Sequence, residues 1–169
     1  EQVSLHGIEK VQILSPFRSE GPASVEQLNA AIRELVNPAR DEFADLKVGS
    51  HYFRVGDKVM QTKNNAKASN GDIGYIRKMG RNAKNEMVVT IEFSGDRIAE
   101  YGMEEMSHME LAYATTVHKA MGSEFDIVIM PILRSHYIML NRNIVYTAIT
   151  RAKEQVIPVG QKKALIMAI

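Results

Sequence analysis

The sequence predicts an α/β fold interrupted by a β-rich insertion, and three observations carry that prediction. The unbroken run Ile127-Val128-Ile129-Met130 suits a central parallel strand covered on both faces. Helical periods flank such runs at both ends of the chain. Between about Ser50 and His108 the period changes to loose alternation broken by glycine turns.

Taken in order, Val11-Gln12-Ile13-Leu14-Ser15-Pro16 is a short apolar run closed by proline, which reads as a buried strand. A loop through Gly21-Pro22 follows. Ser24 and Gln27 stand at capping-box spacing, and Val25, Leu28, Ile32, Leu35 and Val36 fall on one side of a helix ended by Pro38. In the middle, Tyr52 to Gln61 alternates, Asn70-Gly71-Asp72 signals a turn, and Ile73 to Lys78 and Met87 to Phe93 suit strands before the turn Ser94-Gly95-Asp96. These strands form either a small barrel or an antiparallel extension of the main sheet. Beyond them, Glu110 to Ala114 approaches a helix expected to hold His118. Asn141 to Ala152 suits a helix, Val156 to Gly160 a strand, and Lys162 to Ile169 a terminal helix with apolar Ala164, Leu165 and Ile169. Pro158 argues for an edge strand or a strand near its end.

The 169 residues suffice for one compact domain or a core with a small inserted module. An apolar fraction of 45% with five prolines argues against global disorder. The formal net charge of +1 gives no bulk attraction for nucleic acid, so a local patch has to carry any such function. With no cysteine there is neither a disulfide scaffold nor a thiolate metal site, consistent with a reducing, cytoplasmic compartment. No apolar stretch approaches the roughly 18 residues of a membrane span, and Glu1-Gln2-Val3-Ser4 lacks the pattern of a signal peptide. No membrane partner is expected, and the chain reads as a cut-out of something longer.

Several residues have the chemistry of a site. His118 can donate a hydrogen bond and Lys119 can meet a phosphate, or His118 can be a satisfied junction residue. Junctions between strands and helices are expected to gather on one edge of the sheet, where ligands sit. Arg151, near a helix end, can offer a planar fork to a phosphate on a neighbouring domain, or can simply answer the helix dipole with Lys153. Phe17 can stack on a base with Arg18 on phosphate, or can cap the core. In the middle, Lys58, Gln61, Lys63, Asn64, Asn65, Lys67 and Asn70 form a basic, amide-rich stretch near Tyr52 and Phe53, able to follow a nucleic-acid backbone. Arg81 and Lys84 read as solvated turn residues. Glu100, Glu104 and Glu105 make no convincing catalytic or metal cluster. Met103, Met106 and Met109 suit flexible filling between insertion and core.

Three segments carry a family resemblance. Ser15-Pro16-Phe17-Arg18, Thr115 to Glu124 and Tyr146 to Ala152 resemble, in order, the fourth, fifth and sixth motifs of the RecD-like superfamily 1 DNA helicases, the exonuclease V alpha-subunit family. Gly56 to Asn64 and Asn70 to Gly74 resemble the small barrel of the same family. The resemblance covers nearly the whole chain. It implies a RecA-like parallel-sheet motor domain (helicase domain 2A) at 1–49 and 107–169, with an inserted SH3-like β-barrel (domain 2B) at 50–106. It further implies Arg151 as an arginine finger supported by Thr150, Arg18 near the terminal phosphate, and Phe17, Gly122 and Glu124 at the nucleotide. Thr116 and His118, with Lys63, Asn64 and Asn70 of the barrel, would face single-stranded DNA. No glycine loop ending in Lys-Ser or Lys-Thr occurs in the chain. ATP with Mg2+ would therefore be held largely by an N-terminal RecA-like motor domain of the same parent chain, and this chain alone would not hydrolyse ATP. The resemblance also implies 5′ to 3′ translocation, and recombination nuclease subunits as a further class of partner. Met121 departs from the family pattern, which usually has glutamine there. The competing reading is a non-catalytic nucleic-acid-binding module with a degenerate motor fold; a protein interaction domain is a third, and RNA stays open as a ligand.

Overall fold

Continuous apolar strands and alternating ones sort themselves into different sheets. The computed structural model describes residues 7–19, 21–40, 45–136 and 138–168; the chain start at Glu1 to Ser4 and the expected terminal apolar Ile169 lie outside them. Along the chain come β1 (Val11–Ser15), α1 (Val25–Val36), β2 (Leu46–Val48), β3 (His51–Phe53), β4 (Lys58–Gln61), β5 (Ile73–Arg81), β6 (Met87–Phe93) and β7 (Arg97–Gly102). Then follow the single-turn α2 (Met103–Met106), β8 (Met109–Leu111), β9 (Ala114–Thr116), β10 (Phe125–Ile132), a 3-10 turn at Arg134–His136, α3 (Arg142–Ile149), β11 (Ala152–Gly160) and α4 (Lys162–Ala168). Contacts divide the chain into one unit of residues 1–31 and 113–169 and another of residues 32–112.

The first unit is built on a four-stranded parallel sheet in the order β11-β10-β1-β9. As its apolar run requires, β10 is central, and Val128 and Met130 join Leu14, Val117, Ile144, Val145 and Ala148 in the core. Pro158 sits on the edge strand β11, where its missing N–H costs no ladder bond. Two expectations fail here. The segment holding His118 is a run of turns from Val117 to Gly122 rather than a helix, and the short strand β9 precedes it. Gly122, at φ +87, has the left-handed backbone that ends such turns. The helix expected over Asn141 to Ala152 is the shorter α3: Asn141 caps it by accepting from the Ile144 N–H at 3.1 Å, and Thr150 closes it.

The second unit holds a five-stranded antiparallel sheet in the order β7-β6-β5-β4-β8 and the separate hairpin β2-β3. It is not an extension of the parallel sheet. Gly95 and Asp96, at φ +73 and +57, make the tight β6-β7 turn. Phe53, Val59, Ile76, Val89, Ile91, Phe93 and Tyr101 pack with Met106 and Met109, so those two methionines fill this sheet's own core; Met103 is exposed. Because β8 pairs with β4, with Val59 opposite Leu111, this sheet reaches past the limit of 106 read from the sequence.

Helix α1 departs most from its sequence pattern. Its buried side chains are polar, Asn29 at 6% and Arg33 at 7% exposure, while Leu35 is 82% exposed. Asn29 pairs with both backbone groups of Ala114, donating to the carbonyl at 3.0 Å and accepting from the N–H at 2.8 Å. Arg33 grips Asp57 through Nε at 3.0 Å and Nη2 at 2.8 Å. No capping box forms, since the Ser24 hydroxyl is buried with no hydrogen-bond partner among the described residues. The first free N–H groups of α1, those of Val25 and Glu26, donate instead to the carbonyls of Phe17 at 2.9 Å and Arg18 at 3.0 Å.

Candidate nucleotide and nucleic-acid sites

At the carboxyl edge of the parallel sheet, Ser15 of β1 stands beside Thr116 of β9, so the chain leaves both strands at one end. Phe17-Arg18 and Val117-His118 therefore emerge together. Ser15 shapes its loop from a fully buried position: its hydroxyl donates to the Ala23 carbonyl at 2.7 Å and accepts from the Phe17 N–H at 3.3 Å. The helix bonds from α1 to Phe17 and Arg18 fix the same loop from its other side. Phe17 is half-buried against the His136 ring at a centroid distance of 5.2 Å, and Arg18 is exposed. In the second turn, the Thr116 hydroxyl accepts from the Lys119 N–H at 3.2 Å, which leaves His118 exposed at the crest.

At the opposite, amino edge, Phe125 of β10 pairs with Ala152 of β11. The residues just before these strands are thus neighbours: the Phe125 N–H donates to the Arg151 carbonyl at 2.8 Å. Arg151 Nη1 donates to the Ser123 carbonyl at 3.2 Å and Nη2 to the Thr150 hydroxyl at 3.3 Å. Thr150 is itself oriented by donating to the Thr147 carbonyl at 2.9 Å. The Arg151 Nε is buried with no hydrogen-bond partner among the described residues. The bonds to Ser123 and Thr150 use only one N–H each of Nη1 and Nη2, so this half-buried guanidinium keeps further donors for an anionic oxygen. Gly122 and Glu124 are exposed beside it.

The expectation of one shared edge is corrected by register. Ile13 is level with both Ala114 and Ile129, and Phe125 lies four residues before Ile129, about 13 Å upstream at strand rise. Strand-to-turn junctions leave the carboxyl end, whereas turn-to-strand junctions enter at the amino end. Arg18 and Phe17 therefore gather with Thr116 and His118, and Gly122 and Glu124 gather with Arg151.

In the second unit, Lys63, Asn64 and Asn70 lie exposed on the loop between β4 and β5. The Asn64 side chain accepts from the Asn70 N–H at 2.6 Å, and Gln61 donates to the Lys63 carbonyl at 2.6 Å, so the loop has internal support. Lys58 and Gln61 are buried, which removes them from the expected basic groove. Lys67 is removed too. Its ammonium is held by both Glu105 oxygens at 2.5 and 2.6 Å and by the Glu100 carbonyl at 2.6 Å, over the Tyr101 ring at 5.0 Å. Burial pushes the Glu105 carboxyl up, but Lys67 and the Gly102 N–H outweigh it and leave the group below its ordinary range. Burial also raises the Tyr101 phenol, whose oxygen is buried with no hydrogen-bond partner among the described residues. Sequence reasoning missed His136, whose contact with Pro22 lies 114 positions away along the chain, and it named Ser15 in its motif without reading the bonds to Ala23 and Phe17. Among the described residues no group of His, Asp and Glu could hold a metal ion, and no helix is long and apolar enough to cross a membrane.

Comparison with known proteins bears on both units. Residues 111–159 match the UvrD-like helicase C-terminal domain, and residues 28–93 match the SH3 domain of ATP-dependent RecD-like DNA helicases. The chain belongs to the RecD-like superfamily 1 helicases. It is 36% identical over 162 residues to the ATP-dependent RecD2 DNA helicase of Deinococcus radiodurans, an overlap of 95% of this chain and 21% of that relative. With the RecBCD enzyme subunit RecD of Mycolicibacterium smegmatis it shares 28% identity over 171 residues, 100% of this chain and 28% of the relative. The chain thus spans under a third of either RecD-like protein. The Bacteroides Pif1 helicase solved with ADP-AlF3 and ssDNA has the same fold, at TM-score 0.65 and 20% identity over 93% of this chain and 42% of that one.

Proposed function

We propose that this chain is the C-terminal motor part of an ATP-dependent DNA helicase that moves 5′ to 3′ on single-stranded DNA and serves recombination or repair in the cytoplasm. The observation that carries this reading is the arginine fork at the amino edge: Arg151 is oriented by Ser123 and Thr150 and keeps N–H donors beyond those two bonds. Bound ATP with Mg2+ supplies the phosphoryl group whose hydrolysis drives the cycle. Arg151 supplies positive charge where the terminal phosphate becomes more negative, and Glu124 with Gly122 borders the sugar. The phosphate-loop lysine, metal ligands and water-orienting acid belong to an N-terminal motor domain of the parent chain, since no Lys-Ser or Lys-Thr glycine loop occurs here.

The carboxyl edge takes the strand. Thr116 and His118 face single-stranded DNA as the family resemblance implies, and we assign Phe17 and Arg18 to that group as well because they leave the sheet at the same edge, whereas the resemblance implies a nucleotide role for them. Lys63, Asn64 and Asn70 follow the backbone from the barrel. Opposite edges then serve opposite ligands, so movement of this unit against its partner domain shifts grip on DNA as the nucleotide changes. Subunits of a recombination nuclease are a further partner class, by analogy with the RecBCD relative.

A degenerate motor retained as a binding module is the second reading, favoured by Met121, 55% exposed where the family pattern usually has a glutamine amide. ATP turnover by the full-length protein, with and without single-stranded DNA, separates the two. The motor reading expects DNA-stimulated hydrolysis that Arg151→Ala lowers by about two orders of magnitude or more, with single-strand binding retained. No hydrolysis in a folded, DNA-binding protein favours the binding module, and equal loss of DNA binding in Arg151→Ala sinks the finger assignment.

A further inference from the structure

We propose that His136 is the positioning residue of the nucleic-acid edge, holding Phe17 and its loop in the conformation that receives a nucleobase. The proposal rests on the reading of that loop as part of the single-strand site. His136 is 1% exposed in the 3-10 turn that follows β10, 119 positions along the chain from Phe17. Its ring packs against Phe17 at 5.2 Å with the planes tilted by 54°. Its Nε2 lies 2.9 Å from the Pro22 carbonyl, which can only accept, so Nε2 carries the proton and donates. One side chain thus grips the loop twice, at the aromatic that would stack and at the turn that carries the chain to α1.

The other ring nitrogen shows why a histidine is needed. His136 Nδ1 is buried without a hydrogen-bond partner among the described residues. An unpaired buried nitrogen is a cost that phenylalanine would avoid, so the benefit of histidine here lies in the Nε2–H bond to Pro22. The loop also holds Ala23 at φ +60, a left-handed conformation that a residue with a side chain keeps only where its surroundings over-determine it. Ser15 fixes Ala23 from one side, the α1 N–H groups fix Phe17 and Arg18, and His136 fixes Pro22. With the loop fixed in this way, less ordering is left to be done when a base stacks on Phe17.

The test uses the full-length protein and a single-stranded oligonucleotide carrying 2-aminopurine, whose fluorescence is quenched by stacking. Phe17→Ala, His136→Ala, His136→Phe and the double Ala variant are compared, each with its melting temperature. Phe17→Ala is expected to weaken binding about tenfold and relieve quenching. His136→Ala should approach that loss, and the double variant should lose nothing more, because both residues act through one ring. His136→Phe keeps a ring but loses the bond to Pro22, and an intermediate loss is expected. Wild-type affinity and quenching in a folded His136→Ala beside an impaired Phe17→Ala, or additive losses in the double variant, overturns the proposal and leaves the loop reading standing. Should His136→Ala fail to fold, His136→Phe decides, and wild-type behaviour there overturns it. A Phe17→Ala protein that binds as wild type overturns the loop reading itself, and this proposal with it.

Discussion

Arg18 and Arg151 are the same side chain, and the parallel sheet gives them different surroundings. Arg18 follows β1, where Ser15 and the α1 N–H groups set the loop; Arg151 precedes β11, held by Ser123 and Thr150. Arg18→Ala is therefore expected to weaken single-strand binding several-fold while ATP turnover at saturating DNA stays within about twofold, the converse of Arg151→Ala. Steady-state turnover measured beside fluorescence anisotropy checks this, and a collapse of turnover at saturating DNA would return Arg18 to the nucleotide. The motif residues were legible in the sequence because their types and spacing are local facts. Their edge was not, since it depends on whether each precedes or follows a strand in a sheet whose order crosses from β9 over β1 to β10. Lys67 shows the same limit on a smaller scale: as sequence it is one more cation near Lys63, but Glu105, 38 positions later, neutralises it.

At the scale of elements, α1 shows how a helix can be foreseen in place and length while its buried face is misjudged. The stripe of Val25, Leu28, Ile32, Leu35 and Val36 implied an apolar contact, but the buried side chains of α1 are polar: Asn29 meets the Ala114 peptide and Arg33 the Asp57 carboxylate. Asn29→Leu leaves both Ala114 backbone groups unpaired, an expected loss of about 2–4 kcal/mol in urea unfolding. Arg33→Met removes the cation paired with the buried Asp57 and leaves it the Asn37 amide and the Arg54 N–H, for about 3 kcal/mol. A change below about 1 kcal/mol in either would mean that solvent reaches these groups. Asp45 belongs to the same network: two hydrogen bonds from Arg54, at 2.8 and 2.9 Å, hold its carboxyl below the ordinary aspartate range against the opposing effect of burial. A depressed carboxylate contributes stability above its unfolded value, about pH 4, that is lost as pH falls through its folded value. The melting temperature should therefore fall as pH drops below about 4, and Asp45→Asn should flatten that fall while lowering stability at neutral pH. An unchanged pH slope in Asp45→Asn would show that this pair is not a source of acid lability.

For the chain as a whole, the net charge of +1 bears on the proposed binding of single strands. The division into a parallel-sheet part and a β-rich part was visible in the change of hydrophobic period near Ser50. The second unit's wider limits were not, because they rest on the pairing of β8 with β4 and on the contacts of Arg33 with Asp57, both long-range. A near-neutral chain cannot draw a polyanion by its overall field, so its share of the single-strand affinity proposed above has to come from the few cations that are exposed and unneutralised. Lys63 and Lys67, four positions apart on one loop, separate this idea from simple counting of charges. Each phosphate neutralised on a single strand contributes about −0.7 to the slope of log K against log salt. Lys63→Ala should make that slope shallower by about 0.7, read from anisotropy titrations between roughly 50 and 200 mM salt. Lys67→Ala should leave the slope as it is and instead lower the melting temperature, because it strips Glu105 and the Glu100 carbonyl of their partner. Equal changes of slope in the two variants would mean that the Lys67 ion pair opens to bind DNA, and that the loop's charge is shared between stability and grip rather than divided residue by residue.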